Sequence, residues 1–336
     1  MKIAIVGCGL IGAKRLRSLR PGDEVVAVVD PARERAQNLA AQARGAEVFT
    51  DWRAAVERTD VEAVFVSTSN DALAAVTLGA VEAGKHVLVE KPAARAPEEL
   101  TPVIAAAEQR GVCVQVGFNH RYHPAFQQAR ALLDSGVLGP LMFIRARYGH
   151  GGRLGYDKEW RADPAISGGG ELLDQGVHLI DLSRWFLGDF PHVEGHVATF
   201  FWNMPVEDNG FLLLRTAAGQ VAWLHATWTE WKNTFSFEIF GRDAKLAVDG
   251  LGGSYGVERL SYYKMKPSLG PPETTIWEYP GEDRSWHVEL EAFAQAIEAR
   301  RAPPVGLRDA QAALSIVRQV YALSGGRSGT EVAGRK

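Results

Sequence analysis

Hydrophobic positions follow two different rhythms along this chain. Up to about Phe118, short and almost wholly apolar runs alternate with stretches of helical period. Residues 3–6 precede a helix over 10–20, residues 25–29 precede one over 31–44, and Glu47–Phe49 precedes one over 51–58 with Asp51 as its N-cap. Ala63–Val66 then precedes a helix over 71–83, residues 86–89 precede one over 97–110, and residues 112–116 supply a sixth run. Strands that are apolar throughout need cover on both faces, and the alternation provides it. The pattern predicts a doubly wound parallel sheet of α/β class.

After a helical stretch at 124–135 the rhythm changes. Strand candidates now follow one another at 141–148, 194–202, 211–215, 220–229, 235–240 and 245–248. Turn residues Ala218-Gly219 and Gly241 to Asp243 separate neighbours. Consecutive strands imply an α+β domain with a largely antiparallel open sheet, covered by helices predicted at 170–186, 287–300 and 308–324. The domain boundary falls between residues 121 and 122. Residues 265–273, rich in Pro and Gly, are expected to form a mobile loop. The runs Phe211 to Leu214 and Val221 to Leu224 do not alternate, so the sheet has an apolar second face. A homodimer or homotetramer burying that face is the favoured expectation, and a local sandwich within one chain is the alternative.

Composition narrows the classes. At 336 residues two domains are expected, and 46% hydrophobic with 23% charged residues is ordinary for a globular protein with a large core. A net charge of −3 and a pI near 6.3 leave no electrostatic footprint for nucleic acid or an anionic membrane. Two cysteines, Cys8 and Cys113, lie in apolar runs and suggest neither a disulfide framework nor a thiolate metal site. The first strand begins at Lys2, leaving no room for a signal peptide, and no apolar run approaches the roughly 20 residues of a membrane span. A cytoplasmic protein acting on a small molecule is expected.

Gly7-x-Gly9-x-x-Gly12 follows a strand and opens a helix. That context suits a dinucleotide pyrophosphate resting on backbone N–H groups at a helix N-terminus. Asp30, eighteen residues beyond Gly12, ends the second strand, where a carboxylate accepts from both ribose hydroxyls and repels a 2′-phosphate. NAD is therefore favoured over NADP, although Arg33 and Arg35 nearby soften the preference. The plain alternative for Asp30 is an N-cap of the helix beginning at Pro31. Lys91 follows the fifth strand at the carboxyl edge, where it is either catalytic or an ordinary surface charge. Asp174 and His178 stand four apart on a predicted helix and so share a face with Glu171 and Asp181. That polar stripe is either a solvated side or a proton-exchanging pair, with a carboxylate orienting an imidazole.

The combination resembles the Gfo/Idh/MocA oxidoreductases, the relatives of glucose–fructose oxidoreductase and inositol dehydrogenase. The resemblance rests on Gly7-x-Gly9-x-x-Gly12, Glu90-Lys91-Pro92, Gly117-Phe-Asn-His-Arg121, Trp160-Arg161 and Gly169-Gly170-x-x-x-Asp174-x-Gly-x-His178, occurring in that order. It implies a Rossmann domain over 1–121 and a substrate-binding and oligomerisation domain over 122–336. It implies Lys91, Asp174 and His178 as the catalytic residues. It also implies a nucleotide site built from Gly7, Gly9, Leu10, Ile11, Gly12, Asp30, Thr68, Asn70, Glu90, Lys91, Asn119, Trp160 and Arg161. A sugar or polyol would touch Lys91, His120, Arg121, Arg161, Asp174 and His178. One departure concerns the stretch after the fourth strand. The family commonly has Thr-Pro-Asn-x-x-His there, and this chain has Thr68-Ser69-Asn70-Asp71-Ala72-Leu73.

The reaction so implied moves a hydride between nicotinamide and a secondary alcohol of a sugar, polyol or sugar derivative. His178 serves as base, Lys91 as partner of the developing alkoxide and Asp174 as orienter. The alternatives are a glycosidase that uses bound NAD for transient oxidation, and a non-catalytic nucleotide-binding regulator. The stretch 148–170, with Arg161 its strongest contributor, is expected to border the substrate. Eight of the nine tryptophans follow residue 150 and are expected mainly in the core.

Overall fold

A computed structural model of the chain describes residues 1–268 and 270–325. Leu269, inside the expected mobile loop, and residues 326–336, the end of the second expected domain, lie outside the described residues. The chain divides into two compact units. One comprises 1–119, 165–168 and 286–314; the other comprises 120–164, 169–285 and 315–336.

The first unit carries strands β1 Lys2–Val6, β2 Glu24–Val29, β3 Glu47–Phe49, β4 Ala63–Val66, β5 His86–Glu90 and β6 Val114–Gly117. They form one parallel sheet in the order β3-β2-β1-β4-β5-β6. The crossover helices are α1 Leu10–Arg17, α2 Arg33–Gln42, α3 Trp52–Val56, α4 Asn70–Glu82 and α5 Leu100–Arg110. Asp51 caps α3, its carboxylate accepting the Arg53 N–H at 3.1 Å. The four residues of β4 are buried on both faces, as apolar strands in a doubly wound sheet must be.

In the second unit α6 Pro124–Asp134 leads into β7 Leu141–Gly149. The short α7 Pro164–Ser167, which belongs mostly to the first unit, and then α8 Val177–Leu187 precede β8 His192–Ala198, β9 Asn209–Arg215, β10 Val221–Thr227, β11 Thr234–Gly241 and β12 Ala244–Asp249. Two further strands, β13 Glu258–Lys264 and β14 Glu273–Tyr279, extend the sheet and were not anticipated from the sequence. Their alternation is irregular, and they complete the order β14-β13-β12-β11-β7-β10-β9-β8. All neighbours pair antiparallel except β7 with β10. Strands β9 and β10 each bury mainly one face. On the other, Leu213 and Trp223 stand 43% and 51% exposed, so no described part of this chain covers them.

The last two helices, α9 Ser285–Glu298 and α10 Leu307–Leu323, were expected to cover the second sheet. The structure corrects this for α9. Leu290, Phe293 and Ala296 lie in the core of the parallel sheet with Ile3, Ile5 and Phe65, and the Phe65 and Phe293 rings meet edge to face at 6.3 Å. The periodicity of α9 fixes an apolar stripe but not its partner. Glu289 on the same helix also pairs with a buried arginine described below.

Candidate active site

Strand order in the parallel sheet reverses between β1 and β4, and the crevice beyond such a switch point is where doubly wound sheets take ligands. The glycine run lies there. Gly7, with φ +96°, donates its N–H to Val29 O at 2.8 Å. A Cβ on Gly7 would run into the Ser67 carbonyl, and one on Gly12 into the Gly7 carbonyl. Those two glycines are dictated by backbone packing. Gly9 differs, since a Cβ there meets nothing within 4 Å and its bareness faces open space. Leu10 and Ile11 open α1, and Leu10 is largely exposed.

Asp30 is not the N-cap of the next helix, which starts at Arg33 after Ala32. Its Oδ2 accepts the Cys8 N–H at 3.0 Å and its Oδ1 the Ala32 N–H at 2.9 Å, tying the glycine loop to the end of β2. Each carboxylate oxygen has a lone pair left for a hydroxyl donor. The open ground at Gly9, the start of α1 and this fixed carboxylate fit a dinucleotide.

Further along the same edge, Thr68 Oγ1 donates to Ser69 O at 3.0 Å and Asn70 Nδ2 to Ser167 O at 2.8 Å. Leu73, where the family pattern has a histidine, is fully buried on α4. Glu90 faces Arg15, which also reaches Glu289, both contacts closing to 2.5 Å, while the guanidinium lies 4.5 Å from the Trp286 ring centroid. A Cβ on Gly117 would sit 2.8 Å from Arg15 and 3.1 Å from Glu90, which explains the glycine in that motif. Lys91 follows, half-buried and joined to Pro92 by a cis peptide, and Asn119 is buried at the end of this stretch.

In the second unit the predicted helix from Gly170 is not one α-helix. Leu172–Gly176 forms a π-turn before α8, a departure that recurs at functional sites. Asp174 lies in the wide turn and His178 in α8, so their spacing does not set them on one α-helical face. Nor is the stripe solvated: Glu171, His178 and Asp181 are 0%, 3% and 1% exposed. Asp181 receives Arg121 Nε at 2.8 Å and Nη2 at 2.6 Å, which gives Arg121 a scaffolding task the sequence did not suggest.

The His178 ring lies 3.8 Å from that of His120, with planes 34° apart, and the Tyr148 ring stands edge-on to His178 at 6.3 Å. The Tyr148 hydroxyl hydrogen-bonds Tyr255. Burial first, then Tyr255 and the Glu171 carboxylate, push the Tyr148 phenol well above its ordinary range. Asp174 accepts from Arg161 Nε at 3.2 Å, and the Arg161 guanidinium stacks 4.5 Å from the Trp160 ring centroid. Burial and then Asp174 also push the Tyr156 phenol up. An imidazole, a carboxylate held by a guanidinium, and neutral phenols gather in one cluster. It can exchange a proton and hold several hydroxyl groups.

The entry to this helix is held by Glu207, fully buried between β8 and β9. Its Oε2 accepts the Gly170 N–H at 2.9 Å, and its Oε1 accepts the Leu172 N–H at 3.1 Å and the Tyr321 hydroxyl at 2.7 Å. A Cβ on Gly170 would collide with the Glu207 carbonyl, so Gly169-Gly170 permits the close approach. Burial pushes the Glu207 carboxyl up to about 7, against the pull of Tyr321 and the backbone donors. A carboxyl whose folded pKa is raised holds its proton better in the fold than in the unfolded chain. Its contribution is complete below about pH 4.5 and is lost as pH rises through about 7. By the linkage rule this loss is of order 3 kcal/mol. Glu207→Gln should flatten the decline in stability between pH 5 and 8 that urea unfolding of the wild type records. An unchanged slope in the variant would count against this role.

Comparison with known sequences now decides the lineage. Residues 1–118 match the oxidoreductase family, NAD-binding Rossmann fold, and residues 126–247 match the GFO/IDH/MocA C-terminal domain. The chain belongs to the Gfo/Idh/MocA oxidoreductases. Inositol 2-dehydrogenase 2 of Saccharopolyspora erythraea is 36% identical over 193 residues, covering 56% of this chain and 54% of that one. D-glucoside 3-dehydrogenase of Escherichia coli is 28% identical over 356 positions, covering 99% and 97%. The matched region spans about half the length of the first curated relatives. The solved structure of levoglucosan dehydrogenase in complex with NADH shares the fold, with a TM-score of 0.84, 22% identity and coverage of 96% and 98%.

Within this Gfo/Idh/MocA chain the sequence motifs point to His178 and Asp174 and to their neighbours His120 and Arg161, but not to the other groups around them. Tyr148 had a weak signal, closing a predicted strand at the mouth of the glycine-rich loop. Glu207 had another, as one of two adjacent acids before an apolar strand. Arg15, Tyr255 and Tyr321 had none, because their partners lie far away in sequence.

Proposed function

We propose that this Gfo/Idh/MocA chain is an NAD-dependent dehydrogenase acting on a secondary alcohol of a sugar, polyol or sugar derivative. The observation that carries the reading is His178. It is buried against His120 in the helix that follows the turn bearing Arg161-held Asp174, in a chain that also has an NAD-binding Rossmann domain. When bound, the nicotinamide supplies the hydride acceptor. His178 takes the hydroxyl proton. Lys91 stabilises the charge that develops on the oxygen, and Asp174 orients the imidazole or a neighbouring hydroxyl. Residues 1–121 hold the dinucleotide and residues 122–336 the substrate. Asp30 favours NAD over NADP, with exposed Arg33 and Arg35 the only nearby charges among the described residues of α2 that oppose that preference.

The polyol and glycoside names of the relatives support the substrate class. The exposed Leu213 and Trp223 support a homo-oligomer through the open sheet face, which a monomeric mass in light scattering would remove. Two buried free cysteines suit the reducing cytoplasm, and no described helix is long and apolar enough to cross a membrane. Polyols, aldoses and glycosides offered one at a time with NAD should include at least one that yields stoichiometric NADH. Substrate loss without net NADH would favour the transient-oxidation glycosidase, and no turnover with NAD or NADP would sink both readings.

A further inference from the structure

Strands β7 and β10 end together, β9 begins and β8 ends beside them, so the loops 150–163, 199–208 and 228–233 emerge at one end of the antiparallel sheet. Arg161, which holds Asp174, is carried on the first of these. The other two expose large aromatic rings. Phe201 and Trp231 meet edge to face with centroids 4.6 Å apart and planes 85° apart, yet they are 52% and 66% exposed. Beside them Phe200 is 64% exposed.

This exposure is built. Asp208, fully buried, accepts three successive backbone N–H groups, from Phe200 at 2.9 Å, Phe201 at 2.8 Å and Trp202 at 3.0 Å, so the turn that presents the phenylalanines is fixed from within. Trp231 has φ +56°, a region that a bulky side chain rarely adopts, and the Lys232 N–H closes back on Glu230 O at 2.6 Å. A strained backbone that displays an indole to water gains nothing for folding, and such strain persists where it serves a site. The platform connects to the acid–base cluster ring by ring. Phe201 meets Trp202 at 5.2 Å, Trp202 meets Tyr156 at 5.9 Å, and the Tyr156 phenol feels Asp174. Gly151 and Gly152 of the intervening loop are pinned between Trp231 and Trp202: a Cβ on Gly151 would lie 3.1 Å from Trp231 Cα, and one on Gly152 2.5 Å from the Trp202 ring.

We propose that Phe201 and Trp231 form a stacking platform for the second pyranose ring of a glycoside whose first ring is oxidised, so that the substrate is a glycoside or oligosaccharide and not a free polyol. The proposal rests on the dehydrogenase reading above. One face of a pyranose presents C–H bonds, which suit the flat, electron-rich face of an aromatic ring, while its hydroxyls stay in water at the rim. The chemistry at the first ring does not involve Phe201 or Trp231. The platform adds binding energy from a remote, non-reacting part of the substrate.

The test uses the full chain loaded with NADH and three probes, glucose, cellobiose and maltose, with dissociation constants from calorimetry and ring-by-ring contacts from saturation-transfer NMR. At least one disaccharide should bind ~10-fold tighter than glucose, with saturation reaching both rings. Phe201→Ala and Trp231→Gly should each erase most of that advantage and leave glucose and NADH binding unchanged. Trp231→Gly also relieves the positive φ, so its thermal midpoint should match or exceed the wild type, which separates loss of stacking from loss of fold. Three results overturn the platform: disaccharides bound no better than glucose, or not at all; equal losses for glucose and disaccharide in the variants; or a smaller assembly mass in the variants, which would make the patch a subunit contact. NADH formation on the wider panel tests the dehydrogenase reading separately, so either idea can fail while the other stands.

Discussion

Replacing His178 by alanine is expected to lower kcat by ~10²–10⁴-fold while the dissociation constant for NADH stays that of the wild type. The imidazole is the group in the second unit's cluster best suited to take a proton near neutral pH, and it is held at 3% exposure against His120, where no bulk water substitutes for it. Lys91→Met should cost ~10²–10³-fold in kcat for a different reason, since it removes a positive charge from an oxygen that becomes negative only as the hydride departs. KM should move less than kcat in both variants, because neither interaction reaches full strength in the ground state. Stopped-flow NADH formation, with NADH fluorescence titration as the fold control, measures both. Turnover within threefold of wild type in either variant would refute that residue's assignment.

Arg15→Met is expected to be the most destabilising single change outside the apolar core. Arg15 is 1% exposed and bridges Glu90 and Glu289 at 2.5 Å each. The methionine fills the volume and leaves two carboxylates facing each other without water or a cation, a loss of about 3–5 kcal/mol. That is a large share of a total stability of roughly 5–15 kcal/mol. The stranded pair can recover by binding a proton. Burial and mutual repulsion raise the folded pKa of one carboxylate, so the variant's deficit should be smallest at acid pH and grow as pH rises. Urea unfolding at pH 5 and pH 8 reads this directly. A deficit independent of pH would mean that the loss comes from packing against Trp286 instead. Because Glu90 immediately precedes Lys91, a surviving Arg15→Met protein should also lose turnover.

Much of the parallel sheet was legible in the sequence because each strand's cover is its own neighbour. An apolar run followed at once by a helix specifies both partners of a βαβ unit locally, and the glycines that let Gly7 and Gly12 pack against carbonyls mark the turn. The antiparallel half was less legible. Six of its eight strands follow from turns and apolar runs. The hairpin of β13 and β14 escapes, since β13 buries Glu258 and Ser261 beside Leu260 and the edge strand β14 is exposed or half-buried throughout, so neither shows a clean alternation or a continuous apolar run. The assignment of α9 to the second sheet failed for a related reason: an amphipathic stripe specifies that a helix must be covered, not by what.

At the candidate site the division is sharper. The motif that holds Asp174 and His178, the Lys91-Pro92 pair and the glycine run are written in short windows, because the turns and helix starts that carry them are local. The sequence by itself therefore determined the fold of the nucleotide domain and the family, and it singled out the residues proposed to carry the chemistry. Only the tertiary structure decided their surroundings: the π-turn that separates Asp174 from His178, the His120 stack, the Tyr148–Tyr255 pair, the Glu207 cradle under the glycines and the aromatic platform at Phe201 and Trp231. All but the π-turn depend on contacts between residues tens to more than a hundred positions apart. Burial and its electrostatic consequences arise from such contacts alone, and no local pattern encodes them.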